Sequence, residues 1–339
     1  MNQSSHATID SPRGFMSGST GLWAGQQFIK AAMAGKGLSP SALRVAEVLT
    51  RDEWKVLDTE IIAEAEIRLR AVADLIAAGL VKRIPNGLAK TVLEYQTIGD
   101  MDPAIVSLDG VTRSMNDRVE FGSAGIPLPI THKDFYLNLR ALLASRSSGE
   151  ALDTTHVRVA SRKVAETTES MLFNGGPTFG GLPIYGLTTH PNRMSSGFAG
   201  GVSWDDPAKT GASIVTDVGT MLSAFESQSM FGPYMIYVGS GGSLKLQEDY
   251  KTESDVTIRE RVLQFDNIQG IRVVDQLAAG EVVMVQMTPD VVQMVEGEPL
   301  QTVQWDVHGG FQINFKVMTI LVPLVRADAG GLVGVYHMA

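Results

Sequence analysis

The residues that could do chemistry in this chain are sparse and scattered. Six histidines (His6, His132, His156, His190, His308 and His337) stand far apart, and no HExxH or HxH brings two onto one metal. There is no cysteine, which excludes thiolate zinc sites, iron–sulfur clusters, disulfides and a Cys nucleophile. Gly239-Ser240-Gly241-Gly242-Ser243 follows the apolar run YMIYV and opens a helical stretch, which is where a phosphate-cradling loop would sit. Lys245 misses the GxxxxGK[ST] frame and GxGxxG is absent, so a tight strand-to-helix turn with Ser243 as N-cap is favoured. Asp205-Asp206 and Glu248-Asp249 are adjacent carboxylates, and sequence neighbours diverge on a helix or strand, so neither pair reads as an acid–base couple. No G-x-S-x-G marks a nucleophilic serine. The fifteen methionines fall largely in apolar runs and read as core filler. The expectation is a protein with no catalytic, cofactor-binding or metal-binding residues.

Composition narrows the classes further. The 339 residues are 44% hydrophobic and 19% charged, enough for one large domain or two modest ones. A net charge of −9 argues against a protein that grips phosphate backbones, although DNA remains possible as a neighbour. The start, MNQSSHATIDSPRGF, has neither the basic nor the apolar region of a signal peptide. The longest apolar run, within VMTILVPLV at Val317–Val325, is far short of the ~20 residues a membrane helix needs.

Since no motif carries chemistry, the order of the patterned segments carries the information. Residues 1–50 are Gly-, Ser- and Ala-rich around Trp23 and Phe28 and read as an extended arm, with one short helix at Gly25–Met33. Trp54, Leu57, Ile61, Ala65, Leu69, Val72 and Ile76 recur at helical steps behind a Thr50/Glu53 capping pattern, predicting one long helix that stops at Gly79. Between residues 81 and 129, β-prone residues (Tyr95, Ile98, Ile105, Val106, Val111) alternate with turn signals, predicting a long two-stranded ribbon. Such a ribbon is marginal alone and needs support from outside its own subunit. Phe135, Leu139 and Leu142 suggest a helix up to Ser147–Gly149. Val157, Ala160, Val164, Thr168, Met171 and Leu172 predict a second, from Asp153 to Asn174. Further on, Ser213–Ser227 reads as a helix and Tyr234–Val238 as a buried strand. Val303–Val325 reads as two strands around a His308-Gly309-Gly310 turn.

Three blocks resemble the encapsulin and tailed-phage capsid family. DEWKVLDTEIIAEAEIRLRAVADLIAAG is similar to the N-terminal helix of encapsulins. Gly125–Leu187, with its aromatic-led helix, Gly-containing break and Ala-rich helix, resembles the family's spine region. FGPYMIYVGSGGSLKLQED, followed by TIRERVLQFDNIQGIRVVDQLAAGEVVMVQ, resembles its GPY–strand–helix series. The resemblance implies an α+β fold, the Hong Kong 97-like major capsid fold, with peripheral domain, axial domain, extended β-hairpin loop and N-terminal arm. It implies an arm over 1–50, a peripheral helix over 51–80 and the extended loop over 81–129. A peripheral segment with the spine helix would take 130–179, the axial domain 180–299, returning peripheral strands 300–325 and a tail 326–339.

The same resemblance implies a non-enzymatic shell subunit forming pentamers and hexamers. It would enclose double-stranded DNA without reading it, with a separate scaffolding protein, a portal and in some cases decoration proteins as partners and no membrane. Its place would be the virion, after assembly in a bacterial cytoplasm. The alternative is an encapsulin nanocompartment enclosing cargo enzymes. The long region before Trp54 departs from encapsulins and fits a viral capsid better. Expected subunit-contact residues are Trp23, Phe28, Tyr95, Ile98, Ile105, Val106 and Val111.

Overall fold

The computed structural model describes residues 51–108, 117–140, 143, 154–251, 255–328 and 330–339. The predicted arm, with Trp23 and Phe28, the Thr50 cap, Val111 and the helix expected near Leu142 lie outside these residues. The chain forms two compact units. One runs through Glu64 and includes His132–Ser161 and Leu300–Met318; the other holds Ala65–Thr131, Arg162–Pro299 and Thr319–Ala339.

In the first unit, α1 (Arg51–Arg68) buries Leu57 and Ile61, four residues apart as a helical stripe requires. Trp54 meets the edge of Phe315, and Phe135 stacks on the same ring at 5.0 Å. Here β4 (Thr131–Asn138) takes the place of the start of the helix expected from Phe135 onward, while Leu139, Arg140 and Leu143 are helical. Its burial alternates, Phe135 and Leu137 being half-covered and Tyr136 exposed, so a period of two prevails over the sparse three- and four-residue steps. The partner is β12 (Gln312–Val325), which follows β11 (Val292–Val307) across a turn at His308–Gly310. The first part of α3 (Thr155–Asn174) lies in this unit. It buries Val157 and Ala160, the Ser161 hydroxyl donates to the Ile61 carbonyl at 2.8 Å, and Arg158 pairs with Glu60 at 3.4 Å.

The second unit is built on a five-stranded mixed sheet. Its strands are β7 (Arg193–Ser196), β8 (Tyr234–Val238), β9 (Ile268–Val273), β10 (Val282–Gln286) and β13 (Val333–Met338), in the order β7-β13-β10-β8-β9. Both faces are covered, which is why YMIYV and VVMVQ are continuous apolar runs instead of alternating ones. Met235, Tyr237, Val283, Val285, Val333 and Val335 face one core, with Leu172 and Phe173 of α3 and Ala71, Val72 and Leu75 of α2 (Arg70–Ala77). Tyr234, Ile236, Val238, Met284, Tyr336 and Met338 face the other, under α4 (Gly211–Ser227) and α6 (Ile258–Leu263). Thr210 caps α4, and a Thr257/Glu260 capping box starts α6.

Two departures from expectation stand out. The segment 326–339, expected as a tail, carries β13, wholly buried between β7 and β10. Its Gly-rich approach masked a strand whose side chains fill both cores. The single long helix over 51–79 is broken at Leu69, whose φ and ψ of −81° and 78° are not helical, and α2 starts afresh behind it.

The spine helix α3 buries Val164, Thr168, Met171 and Leu172 and leaves Arg162, Lys163 and Glu166 wetter, as its spacing predicts. Val164→Asp would put an unpaired charge into this packed face, at a cost on the order of several kcal/mol. Its urea midpoint should fall well below that of the parent; an unchanged midpoint would mean that the face is not core.

Candidate assembly surface

The predicted ribbon exists. β2 (Val92–Ile98) pairs antiparallel with β3 (Phe121–Pro127), from Val92 opposite Pro127 to Ile98 opposite Phe121. Among the described residues these strands pair only with each other, so each leaves one hydrogen-bonding edge free.

The root of the ribbon is anchored. Leu93 and Ile126 join a core cluster with Ile84, Leu128, Met171, Ile184, Val295 and Ile320. Nearby, β1 (Val81–Arg83) pairs parallel with β11, and Arg83 reaches Glu296 at 2.8 Å. A Cβ at Gly87 would overlap the Gly297 backbone, so only glycine lets this loop lie against β11. Tyr95 also belongs to the root: its ring packs on the cluster, the Arg326 guanidinium sits 5.6 Å from the ring centre, and burial pushes its phenol pKa up.

The far end is bare. Ile98 and Phe121, a cross-strand pair, are 58% and 67% exposed, and in the segment that follows Ile98 in the chain Ile105, Val106 and Leu108 are exposed as well, Val106 at 97%. An open groove of about 830 Å³ runs along Met101 and Asp117–Phe121. Both Asp117 oxygens are engaged, one by the Asp102 N–H at 3.0 Å and one by the Arg118 N–H at 2.7 Å. Thus Ile98, Ile105 and Val106 are each exposed, Tyr95 stands apart at the root, and Val111, Trp23 and Phe28 are outside the described residues. Phe121 was missed from sequence, although the hairpin register that sets it across from Ile98 could have found it.

Elsewhere the candidate chemistry is occupied by structure. In the GSGGS turn a Cβ at Gly239 would overlap the Ala278 carbonyl oxygen, and one at Gly241 would lie 2.6 Å from the Asp205 Cβ and 2.9 Å from the Ala279 carbonyl. The turn is thus packed tightly against the Ala278–Ala279 backbone and the Asp205 side chain. The helix behind it, α5 (Gly242–Lys245), is a single turn with Gly241 at its N-cap and no side-chain cap, so Ser243 is not the N-cap. Asp206 accepts from Ala208 N–H at 2.8 Å, and Glu248 pairs with Lys245 at 2.7 Å. His190 and His337 are held below the ordinary histidine pKa, first of all by burial. Among the described residues, no group of three or more His, Asp or Glu could hold a metal ion. Among the described residues, no helix is long and apolar enough to cross a membrane.

A family model described as a family of unknown function, DUF6260, matches residues 42–338. The chain belongs to the DUF6260 family. No curated protein matches it. Among solved structures, the virus-like particle from Pyrococcus furiosus is similar at a TM-score of 0.59 and 16% identity, over 84% of this chain and 98% of that one. The capsid of the native GTA particle gives 0.56 at 11% identity, over 80% of this chain and 90% of that one. The capsid of Myoviridae phage XM1 gives 0.55 at 10% identity, over 74% and 85%. This DUF6260 chain has the α+β Hong Kong 97-like fold shared by phage capsids and encapsulin-like particles.

Proposed function

We propose that the chain is a non-enzymatic shell subunit that self-assembles into the icosahedral head of a tailed bacteriophage around double-stranded DNA. The observation that carries this reading is the ribbon, anchored at its root and bare at its end, with two free strand edges and the exposed Ile98/Phe121 pair. A two-stranded ribbon gains little stability alone, so this surface needs a cover, and a second copy of the chain supplies one in a closed lattice of pentamers and hexamers. Many modest contacts of this kind then add up through multivalency. In this reading the subunit has a peripheral domain with the spine helix and an axial domain, and a separate scaffolding protein and portal complete the assembly.

The encapsulin alternative is favoured by one observation: the Pyrococcus furiosus particle subunit is matched over 98% of its length. Electron microscopy of the purified protein separates the outcomes. Closed particles holding nucleic acid support the head, and closed particles holding a co-purified protein support the compartment. Ile98→Ser with Phe121→Ser should leave a folded subunit and lower the yield of closed particles at least about tenfold, since each buried apolar side chain at a contact is worth about 1.5–3 kcal/mol. Undiminished particle yield from that variant would remove the ribbon from the assembly surface.

A further inference from the structure

The break between α1 and α2 is held by one side chain from another helix. The Ala71 N–H donates to Glu169 Oε1 at 2.7 Å and the Val72 N–H to Glu169 Oε2 at 3.2 Å. Glu169 stands on α3 and is almost fully buried. Without a carboxylate there, these amides would need the carbonyls four residues back, at Ile67 and Arg68, which an unbroken helix supplies. The Leu69 N–H already bonds the Ala65 carbonyl at 2.9 Å, so only the dihedrals at Leu69 separate the two arrangements. Broken helix with carboxylate cap, and continuous helix without it, are alternative answers to the same donors.

The surroundings set these alternatives against each other. From α2, Asp74 faces Glu169; it pairs with Arg272 of β9 at 3.2 Å, and its Oδ2 is buried with no donor. From β8, the Tyr237 hydroxyl is buried without a partner, and the charges of Asp74 and Glu169 act on it. The Arg70 guanidinium is turned to the Val273 carbonyl at 2.9 Å. An ionised Glu169 is therefore desolvated and close to a second carboxylate.

We propose that Glu169 is a proton-operated catch: ionised, it holds the helix broken at Leu69, and protonated, it releases Ala71 and Val72 to the helical ladder so that residues 51–77 run on as one helix. The proton removes an acceptor from the cap and creates a donor, for which Asp74 Oδ2 is a buried acceptor in waiting. Burial, and behind it the Asp74 charge, raises the Glu169 carboxyl to about 7 against three backbone hydrogen bonds, from Ala71, Val72 and Arg70, that lower it, so the catch works near neutrality. A carboxyl raised on folding contributes stability that is fully present below its ordinary value of 4.5 and is lost as pH rises through about 7. Because protonation also takes the acceptor from the cap, acid favours the released state. The catch operates whether or not the subunit builds a shell.

The absence of cysteine allows clean spin labelling of the full chain at Ile62→Cys and Ile76→Cys, both exposed positions. Fourteen steps of continuous helix span about 21 Å along the axis. The label separation should match that helix at about pH 5.5, depart from it at about pH 8.5, and change over with a midpoint near 7. Glu169→Gln, which offers one acceptor where the carboxylate offers two, should stay at the acid separation at both pH values. A separation that is the same at both pH values, or a shift that survives in Glu169→Gln, would overturn the proposal. Should Glu169→Gln not fold, Asp74→Asn replaces it: the midpoint must fall when the neighbouring negative charge is removed, and a midpoint that stays in place overturns the catch.

Discussion

Val335→Pro should leave no folded second unit. Val335 lies at the middle of β13, fully buried, opposite Val285 of β10. Proline removes a ladder hydrogen bond and is tolerated only at sheet edges, whereas β13 is bonded on both sides. The strand also carries Val333, Tyr336 and Met338 into the two cores. At about 1.5–3 kcal/mol for each fully buried apolar side chain, undocking it forfeits an amount comparable to the roughly 5–15 kcal/mol by which a domain is stable. Circular dichroism and urea unfolding of the variant should show no cooperative transition for this unit. A transition within about 1 kcal/mol of the parent would mean that β13 is dispensable.

Asp217→Ala is expected to be the most damaging single change outside the sheet. Asp217 on α4 and Lys209 before it are each 1% exposed at the side chain and meet at 2.7 Å. Asp217 also accepts from Trp204 Nε1 at 2.8 Å and from the Ala199 N–H at 2.7 Å, while Lys209 donates to the Ala199 carbonyl at 3.1 Å. One carboxylate thus ties residues 199–209 to α4. Its loss strands a buried ammonium and two N–H donors, at about 3–5 kcal/mol. Lys209→Met should cost less, because the remaining carboxylate keeps both N–H partners and the thioether fills part of the space. Denaturant midpoints therefore rank parent, Lys209→Met, Asp217→Ala. The reverse order of the two variants would contradict the assigned roles.

What could be read from sequence follows from the range of the forces involved. Tyr234–Val238 was legible because burial on both faces writes a contiguous apolar run. The 92–127 ribbon was legible because turn residues separate two β-prone stretches. The β4 strand was not: Phe135 stands one helical step before Leu139, which is helical, and the Phe315 ring stacked on Phe135 lies far along the chain. Nothing in the sequence marks Glu169 as buried, because its partners, the Ala71 and Val72 amides, are nearly a hundred residues away. The Lys209–Asp217 pair was hidden for the same reason: spacing does not tell a surface charge from a buried one. Among the expected contact residues, Ile98, Ile105 and Val106 are exposed, as apolar residues of a ribbon without a core are expected to be, and Tyr95 was grouped with them only because the Arg326 contact is not local.

The position of β13 also governs the order in which the molecule can be made. Among the described residues, strand β7 is joined to the five-stranded sheet only through β13, which leaves the β7 edge and one edge of β10 open until the latest of the five strands in chain order arrives. Pairings between segments so far apart are slow, since loop closure comes before any reward from contact. While the sheet waits, its apolar edges are exposed to other nascent copies of the same chain. Synthesis at high copy number would thus favour wrong partners over right ones during that interval, and the timing of one short strand sets how much of the product folds cleanly.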